Sequence, residues 1–405
     1  MNKQLTILLA GRIITNFADS FYMIATLWYV KSVTDSVLLV GLTSAIAMVP
    51  VTLQFLYGPI IDRFSKQKIL YIAVIGQGIL VSVISLLYFS SILWLPILFI
   101  LMFFALSLSE ATYPTESASI EKLSCREDLT KVNSIFAFSF QTLDIVSDAI
   151  SGFLIFFIGI GVIYISNGVL LVGTGLVFFF YLKIPKSKKE RESSSKKFFA
   201  QYKEDFLQGF KVVRKQKILL SIMFGVIAMN VMATMGIAML PIISSTSVEF
   251  GFWLTAMSVG ALVGTVLSSK LEMIPLNWIM PSVSMFSGVF WVLSFITIDL
   301  HYIPLVLFGL SWIGIGIISI YVQTLIQINL PEEYLGIGFS FLSSLLGCLS
   351  TLGYLIGGLI GEFTSGTFVL LLGGTGYVGF SIYFLIHPKL NKLKNKLSVN
   401  IDESH

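Results

Sequence analysis

The chain has 405 residues, 56% of them hydrophobic and only 12% charged, with 34 Phe and a mean hydropathy of +0.89. A domain dissolved in water does not carry that balance. The formal net charge of +4 follows from where the basic residues sit along the chain, and it gives no reason to invoke a nucleic-acid partner.

Apolar runs of about 20 residues, enough to cross a hydrocarbon core of about 30 Å, recur at 5–29, 37–57, 69–89, 93–115, 132–157, 160–182, 217–244, 250–269, 278–298, 302–326, 336–361 and 365–386. They predict an all-α membrane protein of twelve transmembrane helices in two six-helix halves. Barrel strands are shorter and alternate in polarity, which these runs do not. With the N-terminus inside, all 26 Lys and Arg except Lys31 and Arg12 fall on the cytoplasmic side or in the long central loop. The positive-inside rule therefore predicts a multi-pass cell-membrane protein with both termini cytoplasmic.

Span 1 is interrupted by Arg12 and lacks a small-residue cleavage pattern, so it reads as a span rather than a signal peptide. Arg12, Asn16 and Asp19 fall at i, i+4 and i+7, on one helical face. Ionisable groups in apolar spans are costly and mark functional positions. Arg12 and Asp19 are about 10 Å apart along the axis, too far for a direct pair, so each is expected to find its own partner or water. Phe17 and Phe21 add aromatic surface beside them.

Span 4 carries Glu110 in its cytoplasmic half, while Glu116 and Glu121 are expected to be solvated near the loop. On span 5, Gln141, Asp144 and Asp148 stand at i, i+3 and i+7. Two carboxylates held close in low dielectric cannot both stay charged, so one is expected to hold an exchangeable proton. Asp19, Asp144, Asp148 and Glu110 are the proton-coupling candidates.

Residues 183–216 form the one long polar segment, opening on a basic, Ser-rich run. Within it Phe199, Tyr202, Phe206, Phe210 and Val213 recur at spacings of three and four, which predicts an amphipathic helix on the inner membrane surface. The expected organisation is a half at 1–182, this linker, a half at 217–387 and a cytoplasmic tail at 388–405. Sliding the chain by 205 residues lays 134–155 over 339–360, matching Phe136 to Phe341, Ser139 to Ser344 and Gly152 to Gly357. Such a trace suits a parallel repeat, and it places Asp148 over Gly353.

In the second half Met229, Asn230 and Gln323 are candidate substrate contacts, with Trp312 and Tyr321 as further aromatic surface. With Arg12, Asn16, Phe17 and Gln141 they would line a cavity suited to a bulky lipophilic solute, because Met and aromatic walls impose little polar pattern. Cys125 in a loop and Cys348 in a span are not expected to pair, and no His lies mid-span. No metal-ligand cluster, nucleophile-base pair or phosphate-binding Gly-rich segment is present in the sequence. An enzyme, an ATP-driven pump and a cofactor are therefore not expected.

The loop after span 2 reads Gly58-Pro-Ile-Ile-Asp62-Arg63-Phe-Ser-Lys66-Gln-Lys68. A carboxylate there can meet the positive end of a helix dipole, and the cations can hold acidic groups or anionic lipid. This string resembles the loop signature of the major facilitator superfamily, Gly, three residues, Asp-Arg, then a basic cluster, with Ser65 in place of the second glycine. Thr34-Asp-Ser36, Arg126 with Leu129 and Asn133, Gly209-Phe210, Gln327, Leu330-Pro-Glu332 and Gly336 are similar to the branch that holds macrolide-efflux permeases and the enterobactin exporter.

The resemblance implies that Gly58, Asp62, Arg63, Lys66 and Lys68 latch one conformation. The superfamily often carries an arginine in span 4 where Glu110 stands, and the proline of an exporter pattern in span 5 is here replaced by Asp148. Taken with the carboxylates, it implies a secondary transporter, proton-coupled and exporting a hydrophobic or amphipathic compound such as a macrolide or siderophore. Its partners would be a small-molecule substrate, protons and the lipid bilayer, and the chain would act as a monomer. A nutrient importer or facilitator, and a non-transporting receptor or immunity protein, are the alternatives.

Overall fold

The computed structural model describes residues 2–54, 57, 61, 64–125, 129–185, 216–271, 273–300, 302–329 and 335–393. The amphipathic helix expected at 199–213, and Gly58, Asp62 and Arg63 of the latch, lie outside these residues.

The described residues form helices joined by short connections, with no strand among them. The long helices are α1 (Lys3–Thr34), α2 (Val37–Thr52), α3 (Lys66–Phe89), α4 (Leu95–Leu123), α5 (Leu129–Ile158), α6 (Ile160–Tyr181), α7 (Lys217–Ile237), α8 (Ser247–Ser268), α9 (Leu276–Ile296), α10 (Ile303–Asn329), α11 (Leu335–Phe363) and α12 (Gly366–Ile386). Among the described residues eleven apolar helices are long enough to cross a membrane, and α2 reaches 16 residues over its described part.

Local chemistry sets the ends. Asn2 Oδ1 accepts from the Leu5 N–H at 2.9 Å and starts α1. Asp35, at φ 49°, turns the chain in one step into α2, where Ser36 Oγ accepts from the Leu39 N–H. Gly159, at φ 79°, is the single residue separating α5 from α6, a conformation open to glycine without strain.

The chain forms two compact units. The first comprises Met1–Asp35, Ile46–Tyr202 and Thr246–Gly251; the second comprises Ser36–Ala45, Lys203–Ser245 and Phe252–His405. In the first, α1 packs on α4, α5 and α6, α3 packs on α4 and α6, and α5 touches α4 and α6. In the second, α7 packs on α10, α11 and α12, α9 on α10 and α12, and α11 on α10 and α12. Each pairing of the first unit thus recurs six helices later, so α5 and α11 hold equivalent places.

Both units show apolar outer surfaces, including Trp94, Phe157, Trp278 and Phe363, as a hydrocarbon solvent requires. The interior of the second is built on the fully buried Trp291, whose ring packs on Phe308, Tyr377 and Trp312 and whose Nε1–H donates to Leu370 O at 2.8 Å.

Small residues carry the closest approaches. A methyl on Gly41 of α2 would lie 2.7 Å from the Cα of Gly358 on α11, within the second unit. Gly152 of α5 meets Gly251 and the Ser247 carbonyl in the first. Glu362 closes the Gly41 contact by accepting from Ser36 Oγ at 3.2 Å and the Leu38 N–H at 3.0 Å, a carboxylate on the first turn of α2.

Candidate functional site

Three helices of the first unit bring their polar residues to one seam. On α1 the stripe Arg12, Asn16, Asp19 faces α4, which runs antiparallel to it. Ser109 and Glu116, also seven residues apart, supply the partners in reverse order.

Arg12 Nη1 lies 3.3 Å from Glu116 Oε2, with the two side chains only 8% and 4% exposed. This corrects the expectation that Glu116 is solvated. Helix α4 continues past the apolar run to Leu123, and its last turns stay packed because Glu116 is neutralised by Arg12. Glu121 is exposed, as expected. The Arg12 guanidinium also lies 5.1 Å from the ring centre of Tyr113 on α4 and 5.2 Å from that of Phe140 on α5. Stacking on rings suits a planar, weakly hydrated cation in an apolar setting.

Asp19 has a different environment. Its Oδ1 accepts from Gln77 Nε2 on α3, and its Oδ2 accepts from Ser109 Oγ at 2.5 Å. Both donors are neutral, and Arg12 is engaged with Glu116. Among the described residues Asp19 has hydrogen bonds but no cation within ion-pair distance. Glu110, half-buried next to Ser109, senses the charges of Asp19 and Arg12 without bonding to either.

Asn16 is buried between Arg12 and Asp19, and its Nδ2 has no partner among the described residues. The same holds for Gln77 Oε1 and Glu116 Oε1. Phe17 is half-buried and stacks on Phe21 with ring centres 5.6 Å apart.

The remaining candidates lie elsewhere. Asp148 is half-buried on α5, one turn before the Gly152 contact. The side chains of Gln141 and Asp144 lie outside the described residues. In the second unit Met229 is buried, with its Sδ 4.0 Å from Ser284 Oγ, and Asn230 Oδ1 accepts from Ser350 Oγ at 2.7 Å. Gln323 is exposed, Tyr321 is buried, and Trp312 packs in the Trp291 cluster. Of the latch residues, Lys66 is buried at the start of α3 and Lys68 is exposed.

Sequence reasoning missed Gln77, Ser109 and Glu116. The signal for the last two was the seven-residue spacing on span 4 that mirrors Arg12 and Asp19 on span 1.

Residues 8–353 match the family described as the Major Facilitator Superfamily. The chain belongs to that superfamily. It is a multi-pass membrane transporter rather than an enzyme, and its substrate is a small molecule.

The fold is shared with solved transporters across nearly the whole chain. A structure of the nucleoside transporter NupG matches at TM-score 0.72 and 13% identity, over 95% of this chain and 98% of that one. A bacterial homologue of the human lysosomal transporter Spinster, inward-facing and unoccupied, matches at TM-score 0.68 and 12% identity, over 95% and 98%. A bacterial homologue of the iron transporter ferroportin, inward-facing, matches at 0.65 and 17%, over 94% and 98%. No curated protein sequence matches the chain. At these identities the likeness carries the fold alone.

Proposed function

We propose that this transporter is a proton-coupled secondary exporter of a hydrophobic or amphipathic compound, of the macrolide or siderophore kind, working by alternating access in a cell membrane with both termini cytoplasmic. The observation that carries the reading is Asp19, a carboxylate inside the membrane whose hydrogen-bond partners Gln77 and Ser109 are neutral. Arg12, the cation on the same stripe, is committed to Glu116. A buried carboxylate without a cation can shed its charge by taking up a proton, and cargo release can then be tied to that step.

Glu110 and the α5 acids Asp144 and Asp148 are second-rank coupling groups, and the 58–68 loop serves as a cytoplasmic latch. The rings of Tyr113 and Phe140 at Arg12, and Phe17 stacked on Phe21 farther along α1, support an amphipathic cargo. The chain functions as a monomer, with 1–182 and 217–387 as its halves.

The test is uptake of a compound panel, macrolides included, into inverted vesicles carrying an imposed pH gradient. The wild type is expected to accumulate a panel member and to stop when the gradient is collapsed. Asp19→Asn, inserted at normal levels, is expected to bind that compound without gradient-driven accumulation, and Asp148→Asn to be impaired less. Full accumulation by Asp19→Asn, or accumulation that ignores the gradient, overturns the coupling. Accumulation only in right-side-out vesicles reverses the direction.

A further inference from the structure

The polar stripe on α1 does not stop at Asp19. Tyr22, Thr26 and Tyr29 continue it at the same helical spacing, so that Arg12 to Tyr29 covers about 25 Å of the axis, most of a hydrocarbon core of about 30 Å. Beyond Asp19 the stripe faces α6 and α3, and the groups it meets there are hydroxyls and amides.

Thr26 Oγ1 donates to Tyr22 O at 2.7 Å and lies 3.0 Å from Tyr164 OH on α6. With its own hydrogen committed to the backbone, Thr26 accepts from Tyr164. The Tyr164 ring lies 6.1 Å from Tyr22 and 6.2 Å from Tyr88, and Tyr88 lies 5.5 Å from Tyr29. Tyr29 and Tyr88 line an open cleft of about 470 Å³, with Phe89, Ser91 and Leu93, at the end of the helices away from Arg12.

On the same three helices, three buried polar atoms besides Asn16 Nδ2 lack partners among the described residues. They are Tyr22 OH on α1, Gln77 Oε1 on α3 and Asn167 Nδ2 on α6, on side chains 0–3% exposed. Each is a hydroxyl, an acceptor or a donor that a buried water can satisfy, and such a water needs two to four polar partners. Gln77 is the link, because its other end donates to Asp19. Leaving all three unsatisfied would cost about 1–3 kcal/mol each.

We propose that this hydroxyl column is the route by which protons from the side of the membrane opposite the termini reach Asp19. The route rests on the coupling role proposed for Asp19. A proton enters from water in the Tyr29 and Tyr88 cleft and passes to Tyr164 and Thr26. It then moves through water held by Tyr22, Gln77 and Asn167 onto an Asp19 oxygen. Each hydroxyl or water takes a proton on oxygen and releases its own, Thr26 by turning its O–H from the Tyr22 carbonyl to the water, so no heavy-atom bond changes and no charge remains on the way.

The charged or titratable groups facing Asp19 are Arg12 and Tyr22 on its own helix and Glu110 and Glu116 on α4, with Tyr164 beyond Tyr22. Helix α5, also packed on α1, carries Asp144 and Asp148. The column differs from Arg12 and the carboxylates in offering neutral groups from the cleft to Asp19.

The experiment is a stopped-flow pH jump on the full-length protein in nanodiscs, with a soluble pH dye reporting the rate and extent of proton uptake, in H2O and D2O. Asp19→Asn is expected to remove one proton from the extent. Tyr164→Phe and the near-isosteric Thr26→Val are expected to leave the extent intact and slow the rate at least tenfold, with an altered solvent isotope effect. Thr26→Val keeps the test open if a tyrosine variant fails to fold. If Asp19→Asn lowers the extent and neither variant slows uptake, the route is overturned while the coupling stands. If Asp19→Asn leaves the extent unchanged, the coupling reading falls and takes the route with it.

Discussion

Removing one member of the Arg12 and Glu116 pair strands the other in a dry interior. The two charges lie 3.3 Å apart with side chains under a tenth exposed, an attraction of about 5 kcal/mol at an effective dielectric of about 20. Because desolvation offsets much of that, the pair itself is worth less than the loss of one partner, which costs about 3–5 kcal/mol. Arg12→Gln and Glu116→Gln should each lower stability by that amount. The double variant should recover most of it, because no charge is then left unpaired. The assay is reversible unfolding in mixed micelles, read as a double-mutant cycle. A coupling energy of at least about 2 kcal/mol is expected. Single losses below about 1 kcal/mol, or a double variant that simply adds the two losses, would refute the reasoning and return Glu116 to solvent.

Two further outcomes follow from packing. Gly41→Val drives a side chain into the backbone of α11 at Gly358 and Tyr354, and should cost about 1–3 kcal/mol in the same micelle assay. Gly173→Ala, where nothing lies within 4 Å, should be nearly neutral, and equal costs for the two would deny the close approach. Trp291→Ala empties the centre of the second unit and should cost about 3–5 kcal/mol. Trp291→Phe, losing chiefly the bond to Leu370 O, should cost about 1–2 kcal/mol; a smaller loss for the Ala variant would contradict the aromatic core.

The spans were legible because hydrocarbon imposes length and apolarity on every crossing segment, and the observed helices begin and end within a few residues of most predicted runs. Span 4 is the exception that teaches most. Hydropathy ended it near 115, whereas α4 runs to Leu123 because Glu116 is buried against Arg12. A window average counts a carboxylate as polar whether or not a cation on another helix neutralises it.

The stripe of Arg12, Asn16 and Asp19 was readable from spacing alone, since three polar residues on one face of an apolar helix need a common explanation. Gln77 and Ser109 were not, because a lone amide or hydroxyl in a span has no local pattern. Only the packing of α3 and α4 on α1 gives them a role. The neighbours of Met229 and Trp312, Ser284 and Trp291, were likewise illegible, since an apolar residue in a span carries no local signal of what it meets.

Whether Asp19 exchanges a proton inside the membrane is read directly by infrared difference spectroscopy on the reconstituted protein across a pH jump. A protonated-carboxyl band should appear as pH falls, shift when Gln77→Leu removes its hydrogen-bond partner, and vanish in Asp19→Asn while the Glu116→Gln spectrum retains it. A band that survives Asp19→Asn unchanged would contradict the assignment of coupling to this residue.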